Sequence, residues 1–501
     1  MENNESNRSG KVASKVASGI VWTYGERLTA QLVSLVVTII LARLLDPKHY
    51  GVISMATVFI TIANVFVSAG FGNSLVQKKD ADELDFSTTL IFSFGVSLVV
   101  YSVMFIAAPI IASFYRMDQL TAVIRVMSLR IIVASINSVQ HAYISRKMQF
   151  KKFFLSTLGG TLISAAVGIT LAYCGAGVWA LVAQYLTNTT IDTIVLAFTC
   201  GWKPKFEFSL KRMKTLFSFG WKLLAASLLD TLYTKIRQLI IGKMYNADSL
   251  AYYNQGDKYP QFIVVNINTS IGTVLFPAFS KVQNDKQRLV SMMRQSIRLS
   301  SFLMTPILFG MACVAEPLIS VLLTDKWLPA VPFLRIFCIF YWFMPIHTVN
   351  LKAISATGRS DIYLKLEVIK KIIGVATICV TVFCFDSVLA IAAGTIFTSV
   401  LSSFINAYPN TKLLGYSYRQ QISDIAPNIL VGLIMAVSII FIPNFIANKK
   451  LLLAVQIAVG AAVYILASKL LGIRAFKEAL TRFKQVLSGI MSRRKKAKAE
   501  D

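Results

Sequence analysis

The chain has 501 residues, of which 55% are hydrophobic and only 15% charged, well under the roughly one quarter charge usual in soluble domains. That balance excludes a water-soluble class, and the formal net charge of +27 does not point to nucleic acid. The Lys and Arg residues fall in short loops and in a C-terminal tail, where a membrane surface accounts for them.

Six cysteines, Cys174, Cys200, Cys313, Cys338, Cys379 and Cys384, are scattered without C-x-x-C spacing, so neither a zinc site nor a disulfide framework is expected. The polar opening from Met1 to Gly10 leads into a span that carries Glu26, Arg27 and Gln31 without a small-residue cleavage site. The first span is therefore expected to be retained. Apolar runs of about 20 residues, enough to cross about 30 Å of hydrocarbon, follow near 17–42, 50–73, 87–111, 120–141, 153–174 and 177–199. They continue near 216–242, 255–277, 297–323, 331–351, 363–385, 387–409, 425–446 and 450–469. The fold class predicted is an all-α polytopic membrane protein with about fourteen spans, twelve being the alternative count. Alternate loops, such as Arg146–Lys152 and Lys203–Lys214, are rich in positive charge, which places both termini on the cytoplasmic side.

Laying Trp221 on Trp22 brings out a repeat. Thr23, Arg27, Gln31, Ser34 and Thr38 follow helical spacing in the first span, as Ser227, Asp230, Thr234, Arg237 and Gln238 do in the seventh. With a small shift Asn266 and Ser270 match Asn64 and Ser68. The repeat predicts two six-helix lobes, 1–201 and 202–409, two additional helices in 410–470, and a basic amphipathic tail over 471–501.

A charge in the bilayer interior costs at least a few kcal/mol and faces protein or a water-filled cavity. Glu26, Arg27, Asp230, Lys235 and Arg237 are accordingly the leading cavity residues, with mutual pairing that merely ties helices together as the alternative. Arg27 and Arg237 suit a diphosphate, because a guanidinium donates two parallel hydrogen bonds to phosphate oxygens. Arg130 shares a helix face with Ala134, Asn137 and His141 and joins them as a substrate residue, with Gln31, Asn64 and Asn266 as polar cavity lining. Glu26, Asp230 and Lys235 are assigned as charge partners or as holders of a coupling cation. His141 and His347 lie near span ends and are expected to be solvated or capped. Gln184, Asn188 and Asp192 recur every four residues and serve either sugar hydroxyls or helix–helix hydrogen bonds. Gly160, Ser164 and Gly168, like Gly394, Thr398 and Ser402, form small-residue stripes for close helix packing.

The acidic run Asp80, Asp82, Glu83 and Asp85 reads as a solvated loop, not a glycosyltransferase motif. No G-x-x-x-x-G-K-[ST] or H-E-x-x-H motif occurs, so neither ATP-driven transport nor enzyme activity is expected. Phe476, Leu480, Phe483, Leu487 and Ile490 alternate with Lys477, Arg482 and Lys484, as in a helix lying on a membrane surface. Arg493–Lys498 adds a polybasic tail drawn to anionic lipid.

An ordered series of stretches then stands out: LARLLDPKHYG at Leu41–Gly51, GFGNSLVQKKD at Gly70–Asp80, ISRKMQFKK at Ile144–Lys152 and GAGVWALVAQ at Gly175–Gln184. It continues with WKPKFEFS at Trp202–Ser209, LFPAFSKVQND at Leu275–Asp285 and AEPLISVLLTDKWLPAVPFLRI at Ala315–Ile336. In these the chain resembles the polysaccharide exporters of the multidrug/oligosaccharidyl-lipid/polysaccharide superfamily, specifically the colanic-acid and teichuronic-acid type of O-antigen flippase. The resemblance implies a two-lobed, MATE-like fold whose central cavity opens alternately to each side. It also implies an undecaprenyl-diphosphate-linked oligosaccharide as substrate, the bacterial cytoplasmic membrane as location, and Na+ or H+ as the coupling ion. Polymerases and glycosyltransferases of the same surface-polysaccharide or lipopolysaccharide pathway are the implied partners. The motifs contain none of the cavity charges assigned above, so no site residue is carried over. A small-molecule/cation antiporter of the same fold and a membrane glycosyltransferase or polymerase are the alternatives.

Overall fold

The structure, a computed structural model, describes residues 29–481 apart from 69–73, 77, 79 and 150. Glu26, Arg27 and the tail from Arg482 onward lie outside the described residues. Among the described residues there are helices and no strands. Fourteen helical runs follow the expected spans. They are α1 (Thr29–Leu44), α2 (Pro47–Ser68), α3 (Glu83–Tyr115), α4 (Gln119–Met127 and Leu129–Arg146), α5 (Lys151–Tyr173), α6 (Val178–Thr199) and α7 (Leu210–Met244). Then come α8 (Ala247–Lys281), α9 (Lys286–Cys313), α10 (Val331–Trp342 and Met344–Ala356), α11 (Ser360–Cys384), α12 (Val388–Leu414), α13 (Tyr418–Ile440) and α14 (Lys449–Leu470).

Ten of the runs are long and apolar enough to cross a bilayer. The described part of α1 is short, and α6, α7 and α11 fall outside the ten because α6 carries the polar ladder, α7 the charges noted above, and α11 Asp361, Lys365, Glu367, Lys370 and Lys371. This is a multi-pass membrane protein. Several helices begin well before their apolar windows, since capping fixes a helix start wherever hydropathy changes. Asp82 and Asp85 form a reciprocal capping box at α3, Asp285 caps α9 by accepting from Arg288 N–H, and Ser417 with Gln420 caps α13. Arg288 and Arg294, which precede the expected span near 297–323, are thus helical residues of α9, as is Arg298.

Burial on α3 is inverted relative to a soluble helix. Ser87, Thr88, Ser93 and Ser97 are fully buried, while Val99, Ile106 and Ile110 point outward, the last 70% exposed. A hydrocarbon surrounding makes this arrangement stable, since lipid accepts the outward branched side chains while, of the inward hydroxyls, Ser97 donates to Phe94 O and Ser87 and Thr88 accept from Lys205 and Ser209 N–H.

The chain forms two compact units, Met1–Ala251 and Tyr252–Asp501. In the first, α5 packs along α6, α4 packs on α3 and α6, and α2 packs on α7. The repeat in the sequence places a division at Gly201, ahead of α7; the compact units divide after it, because α7 packs on α2 and α3. In the second unit α9 packs on α13, α11 on α12, and α13 on α14. The closing pair of helices shares the core of that unit: Val431, Met435, Ile439 and Tyr464 cluster with Val314, Ile473 and Ala475.

Candidate functional site

Arg130 stands eleven residues into α4, about 16 Å from its first residue at 1.5 Å per residue. Its Nε–H donates to Thr189 Oγ1 at 2.6 Å, and its guanidinium lies 5.7 Å from the centroid of the Tyr185 ring. Both partners sit on α6, which α4 packs against. Among the described residues no carboxylate pairs with it. A guanidinium has five N–H donors, and the protein uses one, so the group is a half-buried cation with most of its donors unspent. One turn and more further along, Asn137 Nδ2 donates to Asp192 Oδ2 at 2.8 Å, and His141 Nε2 lies 3.5 Å from the same oxygen. The His141 ring stacks on Phe153 with centroids 4.6 Å apart. His141 is therefore held by a carboxylate and a ring while its side chain stays 40% exposed, so it is partly solvated, as its place near a span end suggested.

The polar ladder of α6 resolves toward helix–helix bonding. Asn188 Nδ2 donates to Ser164 Oγ on α5 at 3.4 Å, and a Cβ placed on Gly168 would lie 3.0 Å from Gln184 Cβ. The small-residue stripe of α5 thus brings the ladder into contact with it.

The other candidates are distributed over α1, α2, α7 and α8. Gln31 Oε1 on α1, Asn64 Oδ1 on α2 and Arg237 Nε on α7 are enclosed and lack a hydrogen-bond partner among the described residues. Leaving such an atom unpaired costs about 1–3 kcal/mol, which proteins tolerate where a ligand or water completes the bond. Asp230 is exposed and Lys235 half-buried on α7. Asn266 Nδ2 bonds Phe262 O at 2.6 Å within α8. The matched pairs of the repeat behave alike: Ser68 Oγ donates to Asn64 O at 2.9 Å, and Ser270 Oγ donates to Asn266 O at the same distance. Arg130 is bonded to none of these candidates.

Two ion networks escape a reading of the sequence. At the base of α3, Asp85 is fully buried, 2.6 Å from Lys78 Nζ and 3.3 Å from Arg212 Nη1, while Arg212 also reaches Asp82 at 3.1 Å. The backbone N–H of Asp85 holds the Asp82 carboxyl below the usual carboxylate range, and Lys205, paired with Glu83 at 2.8 Å, is held above the usual lysine value. The expectation of a solvated acidic loop fails for Asp85, because it belongs to a helix-capping box and one nearby and one distant cation converge on it. In the second unit Asp424 of α13 accepts from Arg294 Nε at 2.8 Å, Arg298 Nη1 at 3.1 Å and Tyr416 Oη at 2.9 Å; Arg298 also pairs with Glu478 at 3.0 Å. The signal in the sequence is the lone carboxylate of α13, just ahead of the apolar run near 425–446. Nearby, His347 lies 3.3 Å from Ser399 Oγ and 3.0 Å from Asn406 Nδ2, beside a buried set of Asn350, Asn410 and Gln421. Unlike His141, this is a packed histidine, where a solvated or capped one was expected.

The family model described as "Polysaccharide biosynthesis protein" matches residues 40–332, more than half the chain. The protein belongs to this family. A curated relative, the lipopolysaccharide biosynthesis protein WzxC of Escherichia coli (strain K12), is 25% identical over 419 residues, which cover 81% of this chain and 83% of the relative. Among solved structures, the lipid II flippase MurJ in an inward closed conformation aligns with a TM-score of 0.72 at 14% identity, covering 90% of this chain and 98% of its own. An inward-facing multidrug resistance transporter of the MATE family of the MOP superfamily aligns with a TM-score of 0.60 at 13% identity, covering 77% and 96%. At such identities the likeness speaks for the fold, and it establishes the MATE-like architecture of this family member.

Proposed function

We propose that the protein is a flippase that moves a lipid-linked oligosaccharide across the bacterial cytoplasmic membrane for surface polysaccharide assembly, with both termini on the cytoplasmic side. The observation that carries this reading is the match to a polysaccharide biosynthesis family by a chain with the MATE-like fold and no soluble catalytic domain among the described residues. WzxC is by name a lipopolysaccharide biosynthesis protein, and MurJ, which shares the fold, is a lipid II flippase. The substrate class is an undecaprenyl-diphosphate-linked repeat unit, delivered by glycosyltransferases and consumed by a polymerase of the same pathway. Arg130 is the anion holder favoured by geometry: it sits at mid-span depth and, among the described residues, has four N–H donors unspent and no carboxylate to neutralise it. Gln31, Asn64, Asn266, Arg237 and, outside the described residues, Arg27 supply further donors and acceptors. Glu26, Asp230 and Lys235 offset the cations or hold Na+ or H+ between cycles. The protein works by alternating access and makes or breaks no covalent bond.

The test is translocation of a fluorescent undecaprenyl-diphosphate oligosaccharide in proteoliposomes. The wild type moves it; Arg130→Gln slows it by about tenfold, the equivalent of one lost charge-assisted bond near 1.4 kcal/mol; Arg130→Lys retains part of the rate. Equal rates for all three proteins overturn the assignment of Arg130. Efflux of cationic drugs without movement of the lipid-linked sugar favours the antiporter, and sugar transfer in the same liposomes favours a polymerase.

A further inference from the structure

On the outside of the first unit α2 and α3 leave an apolar groove of about 870 Å³ whose walls include Phe59, Phe66, Phe92, Val99, Val103 and Phe208. Gly95 faces open space, with no atom within 4 Å of where a Cβ would stand. From Ile91 to Met104 the groove follows α3 for about 20 Å, a little deeper than the roughly 15 Å of one leaflet's hydrocarbon. Its mouth is built by the segment that precedes α7. Lys205 N–H donates to Ser87 Oγ and Ser209 N–H to Thr88 Oγ1, each at 3.2 Å, which lays Lys203–Ser209 across the first turns of α3. Phe208 then lines the groove, while Phe206 is 94% exposed, with Phe217 and Trp221 exposed beyond it on α7. Aromatic side chains in such numbers mark the headgroup level.

The charges at the mouth divide into two sets of cations, beside an exposed Glu207 two residues from Lys205. Lys205 is matched by Glu83, and Arg212 by Asp82 and Asp85. The ammonium groups of Lys203, Lys211 and Lys214 are exposed and have no ion pair or hydrogen bond among the described residues. Three unmatched cations against the one carboxylate of Glu207 leave a net positive charge of two near the end of a leaflet-deep apolar groove, which complements a molecule with an anionic head and a hydrocarbon chain of leaflet length. We propose that this groove binds an anionic two-chain phospholipid, its phosphate beside Lys203, Lys211 and Lys214 and its chains along Phe66, Phe92 and Val99. A polyprenyl chain long enough to span many isoprene units would outrun a groove of this depth, so the occupant is a resident lipid and not the transported one.

The experiment is native mass spectrometry of the full chain from mixed micelles holding equimolar phosphatidylglycerol, phosphatidylcholine and undecaprenyl phosphate. The expected result is one retained phosphatidylglycerol, favoured over phosphatidylcholine by roughly tenfold or more, as three interfacial lysines would give. Gly95→Phe, which fills the groove, removes that adduct. Lys203→Gln, Lys211→Gln and Lys214→Gln combined, all at exposed positions and so without effect on folding, retain a lipid but bring the ratio of the two phospholipids to about one. Equal retention of both phospholipids by the wild type overturns the proposal, as does an unchanged adduct in Gly95→Phe, which would mean that the groove is filled by other parts of this chain. Preferential retention of undecaprenyl phosphate overturns the choice of occupant. None of these readouts requires turnover, so they stand or fall apart from the transport function.

Discussion

Asp424 is 5% exposed at its side chain and serves Arg294, Arg298 and Tyr416 together. Removing one partner of a buried pair leaves a charge without compensation, at a cost of about 3–5 kcal/mol. Asp424→Ala is expected to lower the unfolding midpoint in detergent sharply, whereas Asp424→Asn, which keeps an acceptor in place, loses less; unfolding curves of the two variants that overlay wild type would remove the network from the account. At this scale Arg130 is legible in the sequence, because a lone charge on a helical stripe is visible within a few residues. The role of Asp424 is not, since its arginines stand 126 and 130 positions away and resemble loop charges in a hydropathy reading. The partners of His347 and His141 escape for a related reason: distance from a span end says nothing about the neighbouring helix, and Asn406 and Asp192 belong to neighbours.

The pairing of α5 with α6 rests on absent side chains. A Cβ on Gly160 would lie 2.9 Å from the carbonyl oxygen of Asn188, a backbone atom that cannot step aside, while a Cβ on the adjacent Gly159 would meet only Val195 at 3.9 Å. Gly160→Ala is expected to destabilise by about 1–3 kcal/mol through overpacking. Gly159→Ala is expected to be neutral or to stabilise by up to about 1 kcal/mol through helix propensity. Thermal unfolding of the two variants side by side gives the answer, and equal midpoints would show that the backbones do not touch here. The same device recurs at Gly394, whose Cβ would lie 3.1 Å from the methyl groups of Thr377 and Thr381. These stripes can be read from spacing alone. Helix starts cannot: α9 begins at Lys286 because Asp285 caps it, and its charged first turns lie outside any apolar window.

At the scale of the molecule, the repeat of polar stripes suggests lobes followed by two appended helices, but α13 and α14 share the core of the second unit. The chain after α14 is fastened as well, since Glu478 pairs with Arg298 at 3.0 Å and the Phe476 ring lies 6.2 Å from that of Phe302. In Glu478→Ala this fastening loses its polar half. Trypsin is then expected to cut faster at Arg474 and Lys477 than in wild type, with Glu367→Ala, at a separate pair, as the unchanged control. Equal cleavage of all three would place the hold in the aromatic contact alone. The family and the all-α, multi-span class are legible because motifs and hydropathy are local in sequence, whereas closure of a unit depends on pairs more than a hundred residues apart. That separation also orders events during synthesis. Asp85 has Lys78 beside it as soon as α3 exists, but Arg212 follows 127 positions later, roughly 6–25 s at ribosomal speed. In the second unit the order is reversed, with Arg294 and Arg298 made first and their carboxylate 126–130 positions behind. A nascent chain therefore carries one half-neutralised acid through the making of α4, α5 and α6, and later a pair of unneutralised cations through α10, α11 and α12. These are the intervals in which an insertion factor or an anionic headgroup has most to offer it.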